Sequence, residues 1–160
     1  MAKKKKFKLS GYCDFAAILF GVAAFCMMFL TCVKYTGVFT GTTEFTGYQI
    51  AFGYSAKSGS VSVQMLAFSF MNLLPYILVL VGIFATALCA FGKRSSGLLG
   101  IIAFAAFVVA AVFFFLAANF VVLPESTLFS KENFSLAVGS ILSGSFSIVA
   151  ALCFVAKKFL

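Results

Sequence analysis

Four stretches of this chain, near residues 14–33, 66–91, 98–123 and 134–156, are each long and apolar enough to cross a lipid bilayer. A spanning helix needs about 20 mainly apolar residues. Four such stretches in 160 residues leave little else to build with, and the sequence as a whole is 63% hydrophobic and 10% charged. A soluble domain is about half apolar and a quarter charged. Lipid is therefore the natural solvent for this chain, which reads as a single integral membrane domain over residues 1–160. The two middle stretches, at about 26 residues and 1.5 Å per residue, would measure about 39 Å. That exceeds a hydrocarbon core of about 30 Å, so they are expected to tilt or project.

The charges set the orientation. Lys3, Lys4, Lys5, Lys6, Lys8, Lys93, Arg94, Lys157 and Lys158 all fall on the side that an even number of spans gives to both termini. The opposite side has Lys34, Lys57 and Lys131, matched by Glu44, Glu125 and Glu132. The positive-inside rule then makes 1–13, 92–97 and 157–160 cytoplasmic and sends the loops 34–65 and 124–133 outward across the plasma membrane. No basic stripe interleaved with aromatics exists for nucleic acid. The N-terminal lysines instead suit anionic lipid, at about 1 kcal/mol each near the surface. The first span reads as an uncleaved signal-anchor, because no A-x-A-like site follows it. Ser10 and Asp14 read as its N-terminal cap and dipole partner. Ser130 reads as the cap of the fourth span, and Pro124 as the end of the third.

Chemistry-bearing residues are scarce. There is no His and no Trp, and Cys13, Cys26, Cys32, Cys89 and Cys153 are scattered without a C-x-x-C pair. That pattern suits neither a disulfide framework nor a metal site, and no cofactor is called for. No nucleophile–base pair can be assembled, so the chain reads as non-enzymatic. In the fourth span, Gly139, Ser140, Ser143, Gly144 and Ser147 fall within an arc of about 140° at helical spacing. Small residues on one face allow close helix approach, within the bundle or between copies. Ser69, Asn72, Tyr76 and Asn119 all lie in the outer third of the second and third spans, where they would form a small polar pocket or bond between helices.

The first outer loop is unlike everything else. In "TGYQIAFGY", Tyr48, Ile50, Phe52 and Tyr54 alternate with Gly47, Gln49, Ala51 and Gly53, the period-two pattern of a strand. Together with "KYTGVFTG" and "SVSVQ", it predicts antiparallel strands near 35–40, 46–54 and 60–64. Their aromatic face would rest on the helix ends, and an edge would be free for a partner or a second copy. Tyr48, Gln49, Ile50, Phe52 and Tyr54 are the candidate partner-binding residues.

Four spans, both ends inside, a long β-prone first outer loop and a short second one resemble the claudin-like architecture. Claudins carry a Trp-containing motif and a cysteine pair in that loop, whereas 34–65 here has no Trp and no Cys. The segment "GYQIAFG" also resembles small uncharacterised four-span proteins of Gram-positive bacteria, a resemblance that implies a membrane location and no activity. The expected fold is an all-α transmembrane four-helix bundle with a small antiparallel β-sheet in the first extracellular loop. The expected role is display of that loop for self-assembly or for an extracellular protein partner. The alternative is a small channel, holin-like pore or carrier for a neutral or lipidic solute.

Overall fold

The computed structural model describes residues 2–37, 41–58, 61–91, 97–125 and 129–159. Its main elements are five helices, α1 (Ala2–Cys26), α2 (Gly47–Phe52), α3 (Phe70–Phe91), α4 (Gly97–Phe115) and α5 (Val138–Phe159). Five short strands join them, β1 (Thr31–Gly37), β2 (Gly41–Thr46), β3 (Tyr54–Ser58), β4 (Val61–Leu66) and β5 (Phe134–Leu136). Four helical segments, Gly11–Phe29, Phe70–Phe91, Gly97–Phe115 and Val138–Lys157, are long and apolar enough to cross a membrane. Less than two fifths of each is buried inside the protein (28–39%). Most of this apolar surface therefore faces outward, which is tolerable only in hydrocarbon.

α1 and α4 each pack on both α3 and α5, so the four long helices close a ring. Phe107 of α4 fills its centre. Its ring lies so close to α1 and α3 that a Cβ on Gly21 or on Gly82 would come within 3.1 Å and 2.9 Å of it. Tyr76, Val79, Phe114, Ala24, Ala110, Ala150 and Ala151 complete this core. Alanine and glycine at the seams bring the backbones close, which is how helices attract each other without a hydrophobic driving force.

At the end that meets the β-layer, each long helix stops short of the apolar run expected to form its span. The segment read as a first span to 33 leaves the helix through one 3-10 turn, Met27–Phe29, and becomes β1 at Thr31. The second span begins at Phe70 rather than 66, because 61–66 is β4. The third leaves the α-helix at Phe115, passes through a 3-10 turn (Ala117–Phe120) and runs extended toward Pro124. The fourth begins at Val138, after β5. α3 and α4, at 22 and 19 residues, measure about 33 Å and about 28 Å. They match the bilayer without the expected surplus. At the N-terminus α1 is already helical from Ala2, so Ser10 is no cap and Asp14 lies well inside the helix. Ser130 makes no capping bond through its side chain. The short link at 92–96 lies outside the described residues.

Both inter-span segments at the end opposite the termini contribute to one β-layer. β1 is the middle strand of a three-stranded antiparallel sheet in the order β2-β1-β5. Thus β5, from between α4 and α5, pairs with a strand that directly follows α1, with Lys34 opposite Ser135 and Tyr35 opposite Phe134. β3 and β4 form a separate hairpin. A second core joins the layer to the helices: Cys32, Val33, Tyr35, Phe45, Ile50, Leu66, Ala117 and Val121. Above it, Tyr35, Phe45, Phe129 and Phe134 pack ring on ring, with centroids 4.3–6.3 Å apart.

Within the expected strand over 46–54, residues 47–52 instead form helix α2, while Thr46 ends β2 and Tyr54 opens β3. Thr46 and Gln49 close a reciprocal capping box: the Gln49 N–H donates to Thr46 Oγ1 and the Thr46 N–H donates to Gln49 Oε1. Such a box fixes a helix start that alternation alone does not reveal. Gly53, at φ +88°, ends α2, and a Cβ there would lie 2.9 Å from the Leu66 carbonyl oxygen. Of the other expected strands, 35–37 belong to β1 and 61–64 to β4, while 38–40 and 60 lie outside the described residues.

Candidate functional site

The residues with polar or reactive chemistry converge where the β-layer meets the helix ring. β1 enters this junction with Cys32, whose carbonyl accepts both the Ala137 N–H and the Ser140 hydroxyl, each at 2.9 Å. Its thiol lies 3.6 Å from Tyr76 Oη and 3.6 Å from the Met27 carbonyl. Two glycines make room for it. A Cβ on Gly139 would sit 2.8 Å from Cys32 Sγ, and one on Gly47 would strike Tyr76 Oη and the Met28 carbonyl. Burial pushes the Cys32 thiol above its ordinary pKa, against the smaller opposing effect of its hydrogen bond with Tyr76. Raising a thiol's pKa lowers the fraction present as the nucleophilic thiolate.

Around the same level, Ser69 is the N-cap of α3. Its Oγ accepts the Asn72 N–H at 3.3 Å and donates to the Phe120 carbonyl at 2.7 Å, tying α3 to the turn after α4. Ser69 N–H donates to the Ala51 carbonyl, so α2 is fastened to the start of α3. Asn72 is 2% exposed, and neither its carboxamide oxygen nor its nitrogen has a hydrogen-bond partner among the described residues. An unpaired buried amide is costly. Ser69, Asn72 and Tyr76 thus share the inner face of α3. Asn119 does not join them: it is exposed on the 3-10 turn.

The five small residues expected on one face of α5, Gly139, Ser140, Ser143, Gly144 and Ser147, are all buried within the chain. Ser140 and Ser143 donate to carbonyls of Cys32 and Ala24, and Ser147 bonds back to the Ser143 carbonyl one turn earlier. Gly139 abuts β1, and Gly144 abuts the Phe115 ring, which its Cβ would approach to 2.8 Å. This face joins α5 to α1, α4 and β1 within the chain. The loop residues divide in two. Ile50 is buried, Gln49 is engaged in the capping box and Tyr54 packs edge-on against Phe45. Tyr48 and Phe52 point outward, one helical turn apart, with rings tilted by 38° and centroids 4.9 Å apart.

At the other end of the ring lies a pair that the sequence reading passed over. Lys157 Nζ donates to both oxygens of Asp14, at 2.9 Å and 2.6 Å, joining the last helix to the first. Asp14 is 4% exposed. It is the only acidic residue on the termini side of the chain, and that was the signal available: an acid that cannot stay unpaired in a membrane helix must find a cation. Among the described residues, no group of three or more His, Cys, Asp or Glu could hold a metal ion. Comparisons with protein-family models, with curated proteins and with solved structures found no match.

Proposed function

We propose that this chain is a non-enzymatic plasma-membrane protein that displays its β-layer at the outer surface for self-assembly or for binding a partner protein. In this reading the basic end and both termini are cytoplasmic, and the overall layout is claudin-like. The observation that carries it is the construction of the layer. Strands from both inter-span segments are joined in one sheet and bonded to the helix ends, which makes a rigid platform. β2 stands at the edge of that sheet, paired on one side only among the described residues, with Thr42 and Glu44 exposed. An edge strand on a rigid base is a template for strand addition.

Neighbouring residues of an antiparallel strand direct their N–H groups to opposite sides. Of Thr42→Pro and Thr43→Pro, one removes an outward donor and the other breaks the β1–β2 ladder. The test is a thiol crosslinker at a cysteine placed on β2, in native membranes, with particle mass by light scattering in mild detergent. A defined crosslinked species that is lost in the proline variant retaining its fold supports the reading. A monomer with no crosslinked species at any β2 position refutes it.

The unpaired Asn72 amide favours a second reading, a small polar site for a neutral solute beneath the layer. Solute flux in vesicles that is lost in Asn72→Leu would select this reading over the first.

A further inference from the structure

We infer that α2 is a membrane-interface anchor, with the adjacent Tyr48–Phe52 pair seated in the phospholipid headgroup and upper acyl region. The position of α2 carries the inference. Gly47 N–H donates to the Leu30 carbonyl at the end of the first spanning segment. A Cβ on Gly47 would strike Tyr76 Oη, and Tyr76 lies about 9 Å into α3 at 1.5 Å per residue. At its other end, the Ala51 carbonyl accepts the N–H of Ser69, the residue before α3 begins. The short helix is therefore sunk to the level of the first two turns of a spanning helix rather than raised above them.

Its composition agrees. Gly47, Ile50 and Ala51 face the protein core, and Gln49 is engaged in the capping box. What remains for the outside is Tyr48 and Phe52, 52% and 47% exposed. No charged residue occurs in α2. A helix apolar on both faces needs apolar surroundings on both. The exposed side chains on adjoining backbone, Phe29 and Leu30 on one flank and Phe68, Phe70 and Met71 on the other, continue this surface onto the lipid-facing sides of the spans. Aromatic residues with one polar end collect at the headgroup level for this reason. The hairpin of β3 and β4 differs, with Ser55, Lys57, Ser62 and Gln64 exposed on it. α2 therefore marks the waterline, and the partner surface lies on the strands above it.

The chain has no Trp, so one introduced tryptophan reports a single site. Tyr48→Trp and Phe52→Trp are reconstituted separately in phosphatidylcholine–phosphatidylglycerol vesicles whose acyl chains are brominated near the headgroup, with Lys57→Trp as the reference. The inference expects blue-shifted emission and strong bromine quenching at 48 and 52, independent of the protein-to-lipid ratio, and water-like emission at 57. Water-like emission at 48 and 52 in protein that elutes as folded wild type overturns it. Blue-shifted emission that bromine does not quench also overturns it, because a second copy or another part of the chain then covers the pair.

Discussion

Replacing Lys157 with Met keeps the side chain's apolar stem and removes its charge, leaving the Asp14 carboxylate buried between α1 and α5. Both carboxylate oxygens lose a donor at 2.6–2.9 Å, and the Asp14 side chain is only 6% exposed. Breaking a buried pair from one side costs about 3–5 kcal/mol. The lower end applies here, because the lysine side chain is 25% exposed and closes its spanning segment at the edge. The opposite change, Asp14→Leu, frees a lysine whose long stem can lift its ammonium toward water, so about 1 kcal/mol is expected. The double variant replaces the pair by apolar contact and should return to within about 1 kcal/mol of wild type. Equilibrium unfolding in mixed micelles of rising SDS fraction, followed by the tyrosine near-ultraviolet signal, measures all three. Equal damage from the two single changes, or a double variant worse than either, would refute the reasoning.

Gly82→Ala places a methyl 2.9–3.0 Å from the Phe107 ring and should cost about 1–3 kcal/mol in the same assay, with partial rescue by Phe107→Leu. Asn72→Leu removes an unpaired amide and should leave stability unchanged or raise it by about 1 kcal/mol, whereas Ser69→Ala loses a helix cap and an interhelical bond and should cost about 1–2 kcal/mol. Glu44 is held below its ordinary pKa of 4.5 by the hydrogen bond from Lys34, then by that from Thr31. A depressed acid contributes stability that is complete above its unfolded pKa and is lost as pH falls through the lower folded value. Protection factors of the β1 and β2 amides, corrected for intrinsic exchange, should therefore fall only below about pH 4.5, and Glu44→Gln should flatten that dependence.

The four helices were legible because about 20 apolar residues in a row have few other fates. Their ends were not. Cys32 and Val33 continue the apolar run of α1 although they belong to the layer, and Phe134 and Leu136 do the same ahead of α5. Hydropathy does not separate a residue facing lipid from one facing a buried sheet. The alternation at 48–54 satisfied a strand pattern, yet Thr46 and Gln49 stood three apart as a capping box, and Gly47 and Gly53 bounded a six-residue helix. The small-residue face of α5 was read from spacing, but only the fold reveals what it meets: the Ala24 carbonyl, Cys32 and Phe115. Asn119 was grouped with Asn72 by depth along ideal helices, and the turn at Ala117–Phe120 rotates it out to the surface. Pairing of β5 with β1 joins residues about a hundred apart, and no local pattern announces it.

The account turns on the β-layer facing the outside of the cell. In a cysteine-free background, single cysteines at Lys57, on the exposed hairpin, and at Lys93, between α3 and α4, are reacted in intact cells with a membrane-impermeant maleimide. Labelling at 57 in intact cells, and at 93 only after permeabilisation, is the result the account predicts. Labelling at 93 but not 57 before permeabilisation would turn the protein over, putting the layer and its edge strand inside the cell and contradicting the proposed display.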